Sequence, residues 1–163
     1  RCPADWYARV LRRVHQEAPQ CRVVLDAEGE RFALAVAEKP WLVKPNQYEL
    51  GLFAGRPLDT REDILAAARA LNRRGVEVVV VSMGKDGALA VRGEEDVFVP
   101  AMKIDVHTTV GAGDAMVAGL LRGFSERNDL AHALKCGTAS AAARCTNTGA
   151  GYLQRETFEK LMR

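Results

Sequence analysis

Apolar residues recur along the chain with two different spacings, which predict alternating helices and strands. From Trp6 to Val14 they follow the spacing of an amphipathic helix, which ends before Pro19. Thr60, with Asp63 three residues later, is typical of a helix start. Three apolar runs without polar alternation predict strands covered on both faces: 23–25, 41–43 and 78–81. Further helices are predicted at 29–39, 46–53 and 60–75.

This alternation of strands and helices predicts an α/β fold, with a mostly parallel sheet between helices. Two more strands, at 88–91 and 97–99, are separated by the acidic turn 93–96 and predict an antiparallel pair at the sheet margin. Beyond Gly113 the pattern becomes helical, at 115–124, 130–145 and 153–162. Small residues in the first two of these helices predict that they pack closely.

The composition excludes several classes of protein. A chain of 163 residues, 48% of them apolar, has the length and core of about one domain. The 23 Lys and Arg residues against 21 Asp and Glu give a net charge of only +2, so no nucleic-acid partner is expected. No uncharged apolar run approaches the ~20 residues that cross a bilayer, and no signal segment is visible. We therefore expect no membrane partner and a cytoplasmic location.

The cysteines and histidines show no spacing that indicates a metal site. The four cysteines are Cys2, Cys21, Cys136 and Cys145. They lack close pairing, so we interpret them as reduced thiols without a zinc site. His132 has no partner at metal-ligand spacing and is interpreted as structural. The chain begins with Arg1, not Met, and the next residues are already helical in pattern, so we expect a piece of a longer protein.

The segment 110–116 is the strongest candidate for chemistry. Gly111, Ala112 and Gly113 precede a long predicted helix, and a helix N-terminus carries unpaired N–H groups and about half a positive charge. Such a turn can hold a phosphate, and Asp114 beside it could act as a general base. A simpler interpretation is a tight turn with a carboxylate that complements the helix dipole. The spacing fits neither the P-loop nor the dinucleotide fingerprint.

Two other segments follow predicted strands, where open α/β sheets place ligands. Lys44 could meet phosphate oxygens, and Asn46 with Glu49 could orient the waters of a magnesium ion. The alternative for this pair is a helix cap. The segment Ser82–Gly87 could support a nucleotide, although glycines also make ordinary turns. Asp26 and Glu28 end the first strand and could line the same edge, although a solvated turn is the favoured interpretation.

Together these residues resemble the ribokinase-like (PfkB) family of carbohydrate kinases, in particular its phosphofructokinase branch. Gly111–Asp114 is similar to the family's Gly-Ala-Gly-Asp turn, which implies an anion hole and makes Asp114 the catalytic base. Asn46 and Glu49 resemble a motif associated with Mg²⁺, held here through water. Trp41–Pro45 resembles the bacterial 1-phosphofructokinases closely. The resemblance also implies a set of ATP-binding residues: Lys44, Asn46, Ser82, Gly84, Lys85, Gly87, Thr108, Val110 and Asn147.

The resemblance implies a Rossmann-type three-layer α/β/α core, and it covers only the C-terminal portion of a single kinase domain, 1–163 here. The N-terminal part and the β lid of the family would be missing. The implied reaction is ATP-dependent phosphorylation of a ketohexose phosphate, with fructose 1-phosphate giving fructose 1,6-bisphosphate. The implied cofactors are ATP and Mg²⁺, and the complete protein would be a homodimer.

Two alternatives stay open. The substrate could be fructose 6-phosphate or tagatose 6-phosphate, or the chain could be a nucleotide-binding fragment without catalysis. Acting alone, the fragment is expected to have little kinase activity because the sugar would not be held in line.

Overall fold

Helices and strands alternate in the computed structural model, which describes residues 2–148 and 153–163. The helices are α1 (Trp6–Glu17), α2 (Gly29–Val36), α3 (Gln47–Ala54), α4 (Arg61–Arg73), α5 (Ala112–Glu126), α6 (Leu130–Cys145) and α7 (Arg155–Leu161). The strands are β1 (Val24–Leu25), β2 (Leu42–Val43), β3 (Val78–Ser82), β4 (Ala88–Arg92) and β5 (Glu95–Val99). A 3-10 turn, Gly84–Asp86, follows β3.

The five strands form one sheet in the order β1-β2-β3-β4-β5. The first three are parallel, with Leu42 of β2 opposite both Val24 of β1 and Val78 of β3. Only two residues join β4 to β5, and strands joined so tightly pair antiparallel. The predicted α/β fold and the pair at the sheet margin are confirmed. The predicted turn 93–96 is too long, because Glu95 and Asp96 already belong to β5.

The chain divides into two compact units, Arg1–Ser82 with Ala90–Asp96 and Met83–Leu89 with Val97–Arg163. The core strand of the first unit is β3, in which Val78 to Val81 have no exposed surface. This agrees with its uninterrupted apolar sequence, because a strand covered on both faces has no polar side.

Two helices of the first unit show where sequence patterns succeed and fail. The predicted start of α4 is confirmed, since Thr60 Oγ1 accepts the Asp63 N–H at 3.1 Å. Helix α1 also forms as predicted, but of the apolar residues in its pattern Leu11 is buried while Trp6 and Val10 are exposed. Ala8 and Leu11 are buried, whereas Trp6 is 48% exposed.

In the second unit, α5 and α6 pack at glycine contacts. A Cβ atom on Gly123 would lie 2.5 Å from Ala133 Cα, and one on Gly119 would lie 2.5 Å from the Cys136 carbonyl oxygen. The backbones therefore approach as closely as the small residues predict. Helix α7 packs on α6 through Phe158, which belongs to a buried apolar cluster with Cys136, Ala139 and Ala143. None of the helices in the described ranges is long and apolar enough to cross a membrane.

Candidate active site

Helix α5 begins at a turn that leaves backbone N–H groups open. Gly111 is the N-cap residue, at φ 80° and without a side-chain cap. The Ala112 N–H already donates to the Thr109 carbonyl at 3.1 Å. The N–H groups of Gly113 and Asp114 have no protein acceptor within the residues the structure describes. The amides of Gly113 and Asp114 are thus available to an anion, whereas the Ala112 amide contributes to the shape of the turn.

The Asp114 carboxylate lies at the surface in the first turn of α5. Among residues 2–148 and 153–163 it makes no hydrogen bond or ion pair. It is therefore accessible to a substrate hydroxyl and is not held by a structural partner. This geometry is compatible both with a general base and with a carboxylate that complements the helix dipole.

The sequence analysis missed Arg144, which lies in the last turn of α6 and contacts the turn at the start of α5. Its side chain packs against Gly111, where a Cβ atom would lie 3.2 Å from Arg144 Nε, and only 3% of the residue is exposed. Nη1 donates to the Asn147 carbonyl at 3.3 Å, while Nε is buried without an acceptor. No carboxylate in the described part of the chain pairs with it. The one sequence signal is a lone basic residue in the last turn of a helix rich in small residues.

The segment before α5 is tied to the end of α6. The N–H groups of His107 and Thr108 both donate to the Cys145 carbonyl, at 2.8 and 3.3 Å. Thr108 Oγ1 accepts the Val110 N–H at 3.2 Å, so this side chain shapes the turn, whereas Val110 is 71% exposed. Asn147 Nδ2 donates to the Ala143 carbonyl at 3.2 Å. ATP contacts by Thr108, Val110 and Asn147 remain predictions.

Asn147, which the resemblance relates to ATP binding, belongs to the segment Thr146–Gly149, of which residues 146–148 are described. Gly149 lies outside the described residues.

In the first unit, Lys44 and Asp26 follow neighbouring parallel strands and form an ion pair. Lys44 Nζ lies 3.2 Å from Asp26 Oδ2, with 6% of the Lys44 side chain and 36% of the Asp26 side chain exposed. Asp26 is exposed, as a solvated turn predicts, but it also pairs with Lys44, because the parallel register brings the ends of β1 and β2 together. A phosphate contact by Lys44 would have to compete with this carboxylate.

Asn46 and Glu49 form a reciprocal cap at the start of α3. Asn46 Oδ1 accepts the Glu49 N–H at 2.8 Å, and Glu49 Oε2 accepts the Asn46 N–H at 2.8 Å. The helix-cap alternative is thus confirmed. Glu49 Oε1 takes no part in the cap, so it is compatible with a magnesium ion held through water. That magnesium role remains a prediction.

The segment after β3 is a tight turn, and its structure explains why glycine occurs there. The Met83 N–H donates to the Gly87 carbonyl at 2.9 Å. Gly87, at φ 107°, is buried, and a Cβ atom there would lie 2.2 Å from the Val99 carbonyl oxygen. Gly84 and Lys85 are exposed, and Ser82 at the end of β3 forms a bridge to Asn46. The first unit therefore brings Ser82 and Asn46 together, while nucleotide contacts by these residues remain predictions.

A cluster that the sequence analysis missed joins α5 to α6. His132 Nε2 lies 2.9 Å from Glu126 Oε2 and 3.6 Å from Cys136 Sγ. Burial, together with the Glu126 carboxylate, raises the pKa of the Cys136 thiol. The expectation that His132 lacks a partner at metal-ligand spacing is wrong. His132 and Cys136 are four residues apart on one helical face, which was visible in the sequence, whereas Glu126 comes from the preceding helix.

Comparison with known sequences identifies the family. The sequence pattern of the pfkB family carbohydrate kinases matches residues 1–157. The chain belongs to this family, as the sequence analysis predicted.

The relatives and solved structures agree on the fold. The 1-phosphofructokinase of Escherichia coli (strain K12) is 36% identical over 158 residues, which are 97% of this chain and 49% of that protein. The 1-phosphofructokinase of Rhodobacter capsulatus is 47% identical over 118 residues, 72% of this chain and 37% of that protein. The crystal structure of phosphofructokinase-2 from Escherichia coli in complex with substrates and products superposes with a TM-score of 0.91 at 29% identity, over 99% of this chain and 52% of that one. The chain spans about half the length of the curated relatives it matches, and the predicted ribokinase-like fold is confirmed.

Proposed function

We propose that the protein transfers the γ-phosphoryl group of ATP to a hydroxyl of a ketohexose phosphate, converting fructose 1-phosphate to fructose 1,6-bisphosphate. Membership of the carbohydrate kinase family and the relatives named 1-phosphofructokinase support this proposal. Within it, this chain is the C-terminal portion of a single kinase domain, and it carries the ATP site and the catalytic base.

The start of α5 is the observation that carries the proposal. The open N–H groups of Gly113 and Asp114 and the buried guanidinium of Arg144 concentrate positive charge at one turn. An anion there would be stabilised both by the helix N-terminus and by a fixed cation with no carboxylate partner in the described residues. These groups fit a phosphate, which is the group that a kinase must hold.

The residues of this turn divide the chemistry between them. The N–H groups of Gly113 and Asp114 donate hydrogen bonds to phosphoryl oxygens, whose charge they stabilise during transfer. The Asp114 carboxylate accepts the proton of the sugar hydroxyl. Gly111 adopts the left-handed conformation that begins this turn, and a Cβ atom there would make a tight contact of 3.2 Å with Arg144 Nε.

ATP supplies the phosphoryl group, and Mg²⁺ reduces the negative charge around it. Asn46 keeps Glu49 in place, and Glu49 Oε1, which the helix cap does not use, would hold a water of a bound Mg²⁺. The nucleotide would also contact the segment after β2, through Lys44, and the end of β3 with the turn that follows it, through Ser82, Gly84 and Lys85.

Phosphorylation of fructose 6-phosphate or tagatose 6-phosphate is the second candidate, supported by the structural likeness to phosphofructokinase-2. The identity to 1-phosphofructokinases, 36% and 47%, against 29% for phosphofructokinase-2, favours fructose 1-phosphate. A coupled assay with the three sugars decides between them. A nucleotide-binding role without catalysis predicts calorimetric binding of ATP–Mg²⁺ and no turnover with any of the three.

The test of the catalytic assignment is Asp114→Asn in the longest form of the protein that the gene encodes. We expect turnover to fall by ~10²-fold or more, with ATP affinity nearly unchanged, because only the proton acceptor is removed. The matched control is Asp105→Asn, which neutralises another exposed aspartate of the same unit. Unchanged turnover in Asp114→Asn would remove the assignment. The proposed homodimer is tested separately by light scattering of the same preparation.

A further inference from the structure

We propose that Glu126, His132 and Cys136 form a Zn²⁺-binding site that links the end of α5 to the first turns of α6. The proposal does not depend on the kinase reaction. It rests on donor atoms from two helices that lie within 4.8 Å of one another.

The distances between the donor atoms fit a tetrahedral zinc ion. With Zn–S of about 2.3 Å and Zn–N of about 2.0–2.1 Å, the sulfur and nitrogen ligands lie roughly 3.6 Å apart. His132 Nε2 and Cys136 Sγ are separated by 3.6 Å. The distance from Nε2 to Glu126 Oε2 is 2.9 Å and must widen by roughly 0.4 Å. Glu126 is exposed, so its side chain can make this small movement.

The fold holds the ligands in position before the metal arrives. His132 and Cys136 are one turn apart on α6 and therefore share a face of that helix. Close contacts at Gly119 and Gly123, in the turns of α5 before Glu126, fix α5 against α6. Rigid helices position ligands more accurately than loops do.

Without a metal, the His132 ring cannot satisfy both of its neighbours. If Nε2 carries a proton it can donate to Glu126, but then it has no lone pair to accept the Cys136 S–H. If Nε2 is unprotonated, it accepts a hydrogen bond from the thiol, and its lone pair also faces the lone pairs of the Glu126 carboxylate. A divalent cation in place of these protons would be bound by the carboxylate, the imidazole and the thiolate at once. The alternative without a metal is a Glu126–His132 ion pair beside a thiol that packs in the hydrophobic core.

The donor set and its surroundings favour zinc. A thiolate and an imidazole with one carboxylate suit Zn²⁺ better than Mg²⁺ or Ca²⁺. Arg122 Nε donates to Glu126 Oε1 at 2.8 Å, which leaves Oε2 directed at His132. Such outer-shell hydrogen bonds orient metal ligands. The fourth position is open to water.

Zinc binding must release a proton, because the S–H bond of Cys136 breaks as the S–Zn bond forms and the proton passes to the buffer. The charged groups around this thiol are Glu126 and Arg122 on α5, Arg127 after α5, and Lys135 on α6. Because zinc displaces this proton, affinity for zinc should increase with pH.

The experiment uses the 163-residue chain with Cys2→Ser and Cys21→Ser, which removes the two exposed thiols. Titration with Co²⁺ should give a thiolate-to-cobalt charge-transfer band, and zinc calorimetry in two buffers of different ionisation enthalpy should show proton release. Cys136→Ser should abolish the band and weaken zinc binding by at least ~10²-fold, more than loss of an outer-shell partner does. Cys145→Ser, the matched control, replaces another buried cysteine of α6 and should change neither.

Absence of the band in the parent protein, or its persistence in Cys136→Ser, would overturn the proposal. If Cys136→Ser does not fold, Glu126→Gln decides, because this exposed side chain tolerates the change. Glu126→Gln should weaken zinc binding by at least ~10-fold. Unchanged zinc affinity in this variant would also overturn the proposal. No kinase activity is measured, so failure here is distinct from failure of the proposed reaction.

Discussion

The guanidinium of Arg144 packs against Gly111, so that a Cβ atom at Gly111 would lie 3.2 Å from Arg144 Nε. Gly111 also has φ 80°, which disfavours other residues. The glycine is therefore required twice, by its backbone conformation and by the side chain beneath it. The buried charge of Arg144 lies beside the two open N–H groups at the start of α5, where it favours an anion.

The variant Arg144→Met should separate the effect of Arg144 on folding stability from its effect on ATP binding. A buried cation without a carboxylate partner in the described residues is unfavourable, so an apolar side chain of similar length should leave the free energy of unfolding unchanged or raise it by about 1 kcal/mol. ATP affinity should fall by ~10-fold, since a charge-assisted interaction is lost. Urea unfolding and calorimetry measure the two effects. Loss of stability with unchanged ATP affinity would show that Arg144 is only structural.

The ion pair between Lys44 and Asp26 predicts strong coupling in a double-mutant cycle. Asp26→Asn leaves a buried ammonium group without its carboxylate and should lower the free energy of unfolding by about 1–3 kcal/mol. Adding Lys44→Met should restore much of that loss, because the buried charge is then gone. Urea unfolding of the four proteins gives the coupling energy. Additive effects would mean that solvent, not Asp26, satisfies Lys44.

Asp63, in the first turn of α4, predicts a defined pH dependence of stability. Its hydrogen bonds from Thr60 and then from Arg56 hold the pKa of this carboxyl below its usual value. The stabilisation is therefore fully present above the ordinary aspartate pKa and disappears as the pH falls through the lowered folded-state pKa. The stability difference between the parent and Asp63→Asn should be constant near neutral pH and vanish in acid. Glu62→Gln, which changes the adjacent carboxylate, is the control for a general charge effect.

The sequence predicted the helices and strands better than it predicted which side chains pair with one another. The bounds of α6 agree with the expected 130–145, because its pattern is unbroken and Asp129 caps it. The Asp26 partner of Lys44 and the His132 partner of Glu126 come from other parts of the chain, so they depend on register and helix packing that no local pattern contains. The proposed base Asp114 was visible because it stands beside the glycine turn, whereas Arg144 lies thirty residues away on another helix.

Gly84 and Gly87 offer a matched pair for separating backbone strain from packing. Both have positive φ, 57° and 107°, but a Cβ atom on Gly84 meets nothing within 4 Å, whereas one on Gly87 would lie 2.2 Å from the Val99 carbonyl oxygen. Gly84→Ala should therefore lower the free energy of unfolding by about 1–2 kcal/mol, the strain of a left-handed residue. Gly87→Ala should lower it by more than about 3 kcal/mol, because backbone atoms must move as well. Guanidinium unfolding measures both. Equal losses would show that the Val99 segment yields easily, and the turn after β3 would then tolerate side chains that the structure excludes.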